Sequence, residues 1–263
     1  MRSMWKGSVS FGLVNIPVRM YAATEEKRVR FNQLHTLCHH RINYERVCPY
    51  CEKSVDPSEI IRGFQYDKDR YVTITDEEWA RFSEQATKTI DIIRFVKLAE
   101  IDPVYFNKTY YLEPAQAGGK AYLLLREALF KAGKIAVAKI TIRTRSSLAV
   151  LRVLGKVLAL ETVFYPDEIR DASRLNVSED VSLQAREMEI ALSLIDSLTE
   201  PFRPEEYTDE KREALLEFIE QKMLGEDPTA APAAREELPA VDLVAALEAS
   251  LKAQKETHGE IQH

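Results

Sequence analysis

Apolar and polar side chains alternate from Ile135 to Arg152, IAVAKITIRTRSSLAVLR. Alternation with period two is the pattern of a strand whose two faces meet different surroundings. The run predicts a strand, a tight turn through Ser146-Ser147, and a second strand. In the first strand Lys139, Thr141, Arg143 and Arg145 share one face, and Ala138, Ile140 and Ile142 share the other. Similar short runs rich in β-branched and aromatic residues recur across the first 170 residues: GSVSFGLVNIPVRMYAA, YVTIT, TIDIIRFVKL, KTYYLE and KVLALETVFY. Polar, Gly and Pro clusters separate them, which predicts a barrel or sandwich with insertions. Within the first run, the glycines of Gly7-Ser-Val-Ser-Phe-Gly12 read as bulges or points of close packing. Two helical pieces interrupt the strands: DEEWARFSEQ, capped by Thr75, and KAYLLLREALFKAG, closed by Gly133.

After residue 178 the period changes. SEDVSLQAREMEIALSLIDSL places Val181, Ala185, Met188, Leu192 and Ile195 on one helical stripe. DEKREALLEFIEQKMLG repeats the arrangement with Leu215, Phe218, Ile219 and Met223 ahead of Gly225. No strands follow for these stripes to cover, so residues 179–225 read as a helical arm that packs on a second copy of the chain. The alternative is that both helices fold back on their own barrel. Residues 226–237, EDPTAAPAAREE, lack periodicity and read as a flexible linker. Beyond it, residues 238–255 contain an amphipathic helix with Leu243, Leu247 and Leu251 in register. A helix this short is marginal alone, so its apolar edge is expected to fold against a partner's groove; the alternative is a tail that caps the same chain.

Charge is divided unevenly along the chain. The formal net charge is −6, yet residues 1–170 carry 27 Lys and Arg against 20 Asp and Glu, and residues 171–263 carry 9 against 22. From Arg126 to Lys156 there are eight basic residues and a single acid, Glu127. A basic body joined to an acidic tail suits an anionic partner at the body. On the strand from Ile135, the face bearing Lys139, Arg143 and Arg145 forms a cationic rail suited to phosphates spaced along a line; a solvated amphipathic strand is the plainer reading. The opening MRSMWKGSVSFGLV lacks a long apolar run with a small-residue cleavage site and no run approaches about 18 apolar residues, so neither a secretory leader nor a membrane span is expected. Three cysteines do not make a disulfide framework, so a reducing, cytoplasmic setting is expected.

The chemistry lies in residues 35–51, HTLCHHRINYERVCPYC. His35-x-x-Cys38 and Cys48-x-x-Cys51 are two knuckles of paired ligand types, and imidazole with thiolate is a zinc-binding set. Structural zinc held by His35, Cys38, Cys48 and Cys51 is the expectation, with His39 or His40 as alternatives to His35. A metal-free turn and a redox pair are the competing readings. Catalytic zinc is disfavoured, because four protein ligands leave no open position. Phosphate-binding loops, dinucleotide fingerprints, nucleophile elbows and H-E-x-x-H are all missing from the sequence. A non-enzymatic protein without a catalytic cofactor is therefore expected.

The ordered set WKGSVSFGLVNIPVRMYAATEE, YYLEP, TIRTRSSLAVLRV, YPDEIR, DEKREALLEFIEQKMLG and VDLVAALEASL, running from Trp5 to about Lys252, resembles the bacterial Ku family. The resemblance implies a mixed, β-rich fold: a Ku-type β-barrel core over residues 1–178, a DNA-encircling bridge inserted at about 28–62, the helical dimerisation arm and the short C-terminal helix. It also implies a homodimeric ring on broken double-stranded DNA ends in non-homologous end joining, and a nucleoid-associated bacterial protein with no membrane partner. A multidomain ATP-dependent DNA ligase would be recruited through the C-terminal region, here Leu243, Leu247 and Leu251. In such a ring Lys139, Arg143, Arg145 and Arg152 fit the inner wall, and Arg28, Arg30, Arg41 and Arg46 the DNA side of the bridge. The zinc knuckle would staple a bridge too thin for a core of its own. That knuckle is not general to the family, so the resemblance does not supply it. Relatives often extend into a lysine-rich tail; only Lys252 and Lys255 follow the linker here, so no tail-driven DNA binding is expected. A zinc-containing nucleic-acid-binding regulator that recognises internal sites is the alternative.

Overall fold

In the computed structural model, residues 1–83, 88–115, 118–142, 145–177, 182–225 and 247 are described. The elements run β1 (Trp5–Phe11), β2 (Val14–Ala22), β3 (Val47–Cys48), β4 (Lys53–Ser54), β5 (Arg62–Asp67), β6 (Arg70–Ile74), α1 (Asp76–Ser83), β7 (Thr89–Val96) and β8 (Phe106–Pro114). They continue with α2 (Gly119–Ala132), β9 (Ile135–Ile142), β10 (Arg145–Leu154), β11 (Val157–Val163), α3 (Ala185–Ser197) and α4 (Glu210–Leu224). By internal contacts the chain divides into one unit of residues 1–27 and 32–172, and a second of residues 28–31 with the described residues from 173 on.

Seven strands of the first unit close into a barrel in the order β1-β2-β8-β11-β10-β9-β7. Each neighbouring pair is antiparallel except β1 with β7, which close the barrel in parallel. A parallel pair needs a long connection, and residues 23–88, carrying β3 to β6 and α1, supply it. Along most of the bore the inward residues are apolar: Val9, Ile16, Met20, Ile90, Leu112, Ile140, Leu151 and Leu160 are at most 1% exposed. Closure removes every edge from this sheet, so none of its strands is left to pair with another chain.

Local chemistry explains the borders. The first apolar run splits in two because Gly12 takes φ +60 in the turn that sets Phe11 opposite Val14. Gly7 sits where a Cβ would come within 2.2 Å of both the Lys88 carbonyl and the Trp5 ring, a close approach only glycine allows. The Thr75 hydroxyl accepts from the Glu78 N–H at 3.2 Å and caps α1. Helix α2 ends at Gly133, φ +59, and is clamped to the barrel by Tyr122. That hydroxyl donates to the Leu112 carbonyl at 2.6 Å and accepts from the Leu158 N–H at 2.7 Å.

The hairpin of β9 and β10 turns earlier than the sequence suggests. Ser146 pairs with Thr141 and Ser147 with Ile140, so both serines lie in β10 and the connection falls at residues 143–144, outside the described residues. The inward alternation of Ala149 and Leu151 continues back to Ser147, and a hydroxyl is tolerated there because the barrel opens at that end. Arg145 therefore belongs to β10 and not to the strand that carries Lys139.

In the second unit α3 and α4 contain no buried residue. Gln184 and Asp209 stand at their N-caps and Gly225, φ +78, ends α4. Met188, Leu192 and Ile195 are 46%, 54% and 60% exposed, so the apolar stripe of α3 is not covered by the described residues. Of the 226–237 linker and the 238–255 helix only Leu247 lies among the described residues, where it is helical and half-buried; Leu243 and Leu251 lie outside them.

Candidate nucleic-acid interface

Lys139 projects from the outer side of the barrel. Its strand neighbours Ala138 and Ile140 are buried inside, and it is exposed. Asp91 of β7 and Leu148 of β10 flank it in register, but the Asp91 carboxylate accepts from the Thr89 hydroxyl at 2.8 Å. Among the described residues Lys139 makes no ion pair, and its charge stays available to a partner. The face it shares is less uniformly cationic than alternation alone implies. Ile135 and Val137 on the same side join Val150, Val163 and Leu148 in a second apolar cluster under Ile101, Tyr105 and Phe106. The rail is thus confined to the far half of the hairpin. Arg143 lies outside the described residues, and of Arg145 only the backbone is described.

Arg152 occupies the same outer side but is already engaged. Its Nε and Nη2 donate to the Glu161 carboxylate at 3.0 and 2.6 Å, and the two side chains are 26% and 10% exposed. The bonded carboxylate holds the guanidinium still more firmly in its charged form, outweighing burial. This pair links β10 to β11 diagonally across the sheet. The sequence conceals it, because Glu161 sits nine residues away in an apolar run.

The segment from Asn32 to Ile61 is exposed nearly throughout and has no buried residue. Arg41 is held by an isolated bridge to Leu34, and the Arg46 carbonyl accepts from the Val55 N–H at 2.8 Å. Both side chains are exposed and make no ion pair among the described residues. Arg28 and Arg30 belong to the second unit, where each is exposed.

Two short turns set the knuckles. In the first, the His39 N–H donates to the His35 carbonyl at 2.8 Å with His39 at φ +54. This brings His35 Nδ1 to 3.2 Å from Cys38 Sγ, while His40 Nδ1 lies 2.8 Å from the Cys38 carbonyl. His35 is thus the imidazole beside the sulfur. In the second, β3 and β4 bracket the turn from Cys48 to Cys51. The Cys51 N–H, then the Tyr50 N–H and the Cys51 thiol, hydrogen-bond the Cys48 sulfur and lower its pKa, whereas that of Cys51 is raised. A thiolate-favouring sulfur beside a second thiol, and an imidazole beside a third, have the donor chemistry of two half-sites for zinc. Among the described residues no group of three or more ligand side chains comes together, so the halves stand apart.

No helix among the described residues is long and apolar enough to cross a membrane. Residues 10–191 match the family described as the Ku70/Ku80 beta-barrel domain. A protein of Heliobacterium modesticaldum named "Non-homologous end joining protein Ku" is 48% identical over 252 residues, 95% of this chain and 91% of that one. Proteins of the same name from Symbiobacterium thermophilum and Bacillus subtilis are 48% and 44% identical, over 96% and 95% of this chain. The chain spans 63% of the length of the Symbiobacterium protein and 82% of the Bacillus one.

Proposed function

The chain belongs to the Ku family, and from that membership we propose that it binds broken double-stranded DNA ends in non-homologous end joining as a non-enzymatic homodimer. The observation that carries this reading is the match over 95% of the chain to relatives named for that process. Its physical support is the exposed cations Lys139, Arg30, Arg41 and Arg46, none of them ion-paired among the described residues. Such cations face phosphates and release counterions without reading bases. Arg28, Arg143 and Arg145 complete the proposed DNA set, and Arg152 enters it through its hold on the hairpin. If two copies form a ring through their arms, selectivity for ends is topological, since a closed ring threads only onto a free end.

The uncovered apolar stripe of α3 supports the homodimer. The Leu243, Leu247 and Leu251 edge is our proposed contact for the multidomain ATP-dependent ligase. For the two knuckles we propose a structural zinc whose ligands His35, Cys38, Cys48 and Cys51 would pin the two turns together. Zinc would supply cross-links where no core forms, and no chemistry on DNA. Metal analysis of the purified chain should find stoichiometric zinc, and Cys48→Ser should lose it together with thermal stability. Zinc-free protein of unchanged melting temperature would refute the staple.

The deciding experiment compares one plasmid as linear DNA and as covalently closed relaxed circles at near-physiological salt. The expected result is binding to the linear form only, with complexes trapped once the ends are ligated. Equal binding to both forms would remove the ring and favour a regulator that recognises internal sites.

A further inference from the structure

The bore of the barrel ends in a cavity of about 360 Å³, formed by inward residues of four strands and closed on one side by residues 163–168. Lys108 and Tyr110 of β8, Ile142 of β9, Ser147 of β10 and Thr162 of β11 line it, with Met4 at the rim. One layer deeper the bore is wholly aliphatic, with Leu112, Ala149 and Leu160 fully buried. A change from aliphatic to cationic and hydroxylated lining within one layer is not what packing requires.

Thr162 bonds the Lys108 backbone through its hydroxyl, but five other polar side chains at this mouth have no partner among the described residues. Asn107, Lys108, Tyr110, Ser147 and Tyr165 all line the cavity, and among the described residues none of their side chains has a hydrogen-bond or ion partner. Tyr110 is only 8% exposed, yet among the described residues no side-chain oxygen or nitrogen is both sealed and unpartnered. Its hydroxyl therefore opens onto the cavity, and burial raises its pKa, keeping it a neutral donor. The strand bends here: Thr162 pairs with Lys108 and Val163 with Phe106, leaving Asn107 as the extra residue of a β-bulge. Bulges at barrel rims re-aim side chains. Glu168 also lines the mouth, but its Oε2 accepts from the Tyr165 N–H at 2.9 Å and so serves its own turn.

We propose that the barrel mouth binds one nucleotide, with Lys108 on the phosphate, Tyr165 against the base, and Tyr110, Ser147 and Asn107 on polar edges. A lone phosphate is too small for the cavity, which falls at the lower end of the roughly 300–1,000 Å³ range of small-ligand sites. The half-buried rings of Tyr165 and Phe164 and the apolar walls of Ile142 and Val163 call for a flat body. An unpaired ammonium calls for an anion, and a nucleoside monophosphate combines both. It can come from a free mononucleotide or from the unpaired last nucleotide of a DNA strand. Only the second source rests on the DNA-end reading above.

The test titrates the full chain with 5′-dAMP, deoxyadenosine and inorganic phosphate by calorimetry. Saturable 5′-dAMP binding is expected, weakened about tenfold by Lys108→Met through loss of a charge-assisted bond. Tyr110→Phe should weaken it about threefold or more while leaving the melting temperature unchanged, because that hydroxyl has no protein partner to lose. No saturation by about 10 mM, or binding indifferent to Lys108→Met, would overturn the proposal. Linear duplexes with blunt ends or a single unpaired 5′-phosphorylated nucleotide then assign the source. A preference for the unpaired nucleotide that Lys108→Met abolishes identifies the strand end; equal binding, with 5′-dAMP still dependent on Lys108, identifies the free nucleotide. Failure to bind either duplex would defeat the DNA-end reading and leave the titration to judge the cavity.

Discussion

Arg152 and Lys139 share the outer side of one hairpin, and their chemistry diverges because only Arg152 has a carboxylate within reach. Arg152→Ala leaves Glu161, 10% exposed, without its guanidinium. We expect a loss of about 1–3 kcal/mol in urea unfolding. Lys139→Ala should leave stability alone, weaken DNA binding equally for all sequences, and make the salt dependence shallower by about one unit of slope. A folded Arg152→Ala protein whose salt dependence becomes shallower by about one unit of slope, as for Lys139→Ala, would return Arg152 to the direct contacts. Tyr122 offers a pH test. Burial raises its pKa, so its contribution is fully present below the unfolded value of about 10 and is lost as pH rises through the folded one. The urea midpoint should fall above pH ~10, and Tyr122→Phe, which loses about 1–3 kcal/mol at neutral pH, should lack that component of the fall.

At the scale of elements, the contrast is between α2 and α3. The 14 residues of α2 bury Tyr122, Leu125 and Leu129 against the barrel. The 13 residues of α3 bury none, although its apolar stripe was equally clear in sequence. An isolated helix of this length is marginal in water, so its stripe needs a cover that the described residues do not supply. Leu192→Glu should shift light-scattering mass from two chains to one, with secondary structure largely retained on the barrel. A variant that stays dimeric would place the dimer contact elsewhere.

At the scale of the molecule, the closed barrel and the long excursion between β2 and β7 are two solutions to one constraint. The barrel carries the core. The excursion is exposed from Asn32 to Ile61, with no buried residue there, so a bound metal, DNA or second chain would add the contacts that a core supplies elsewhere. A ring that binds by phosphate contacts can use such a segment, because cations on a thin span reach a duplex without base-edge geometry.

Period-two alternation determined most of the barrel strands, and cap chemistry at Thr75, Gly133 and Gly225 determined where helices begin or end, because both depend on neighbours within a few residues. The ordered motifs also marked the family. The sequence misplaced the hairpin turn at Ser146-Ser147, since a serine facing an open barrel end looks like a turn residue until the register is known. It did not reveal that Arg152 is ion-paired, because the Glu161 partner is brought near only by the pairing of β10 with β11. The unpartnered polar groups at the barrel mouth come from β8, β10 and the turn after β11, spread between Asn107 and Tyr165. No local pattern marks them; the closure of the sheet alone brings them to one cavity.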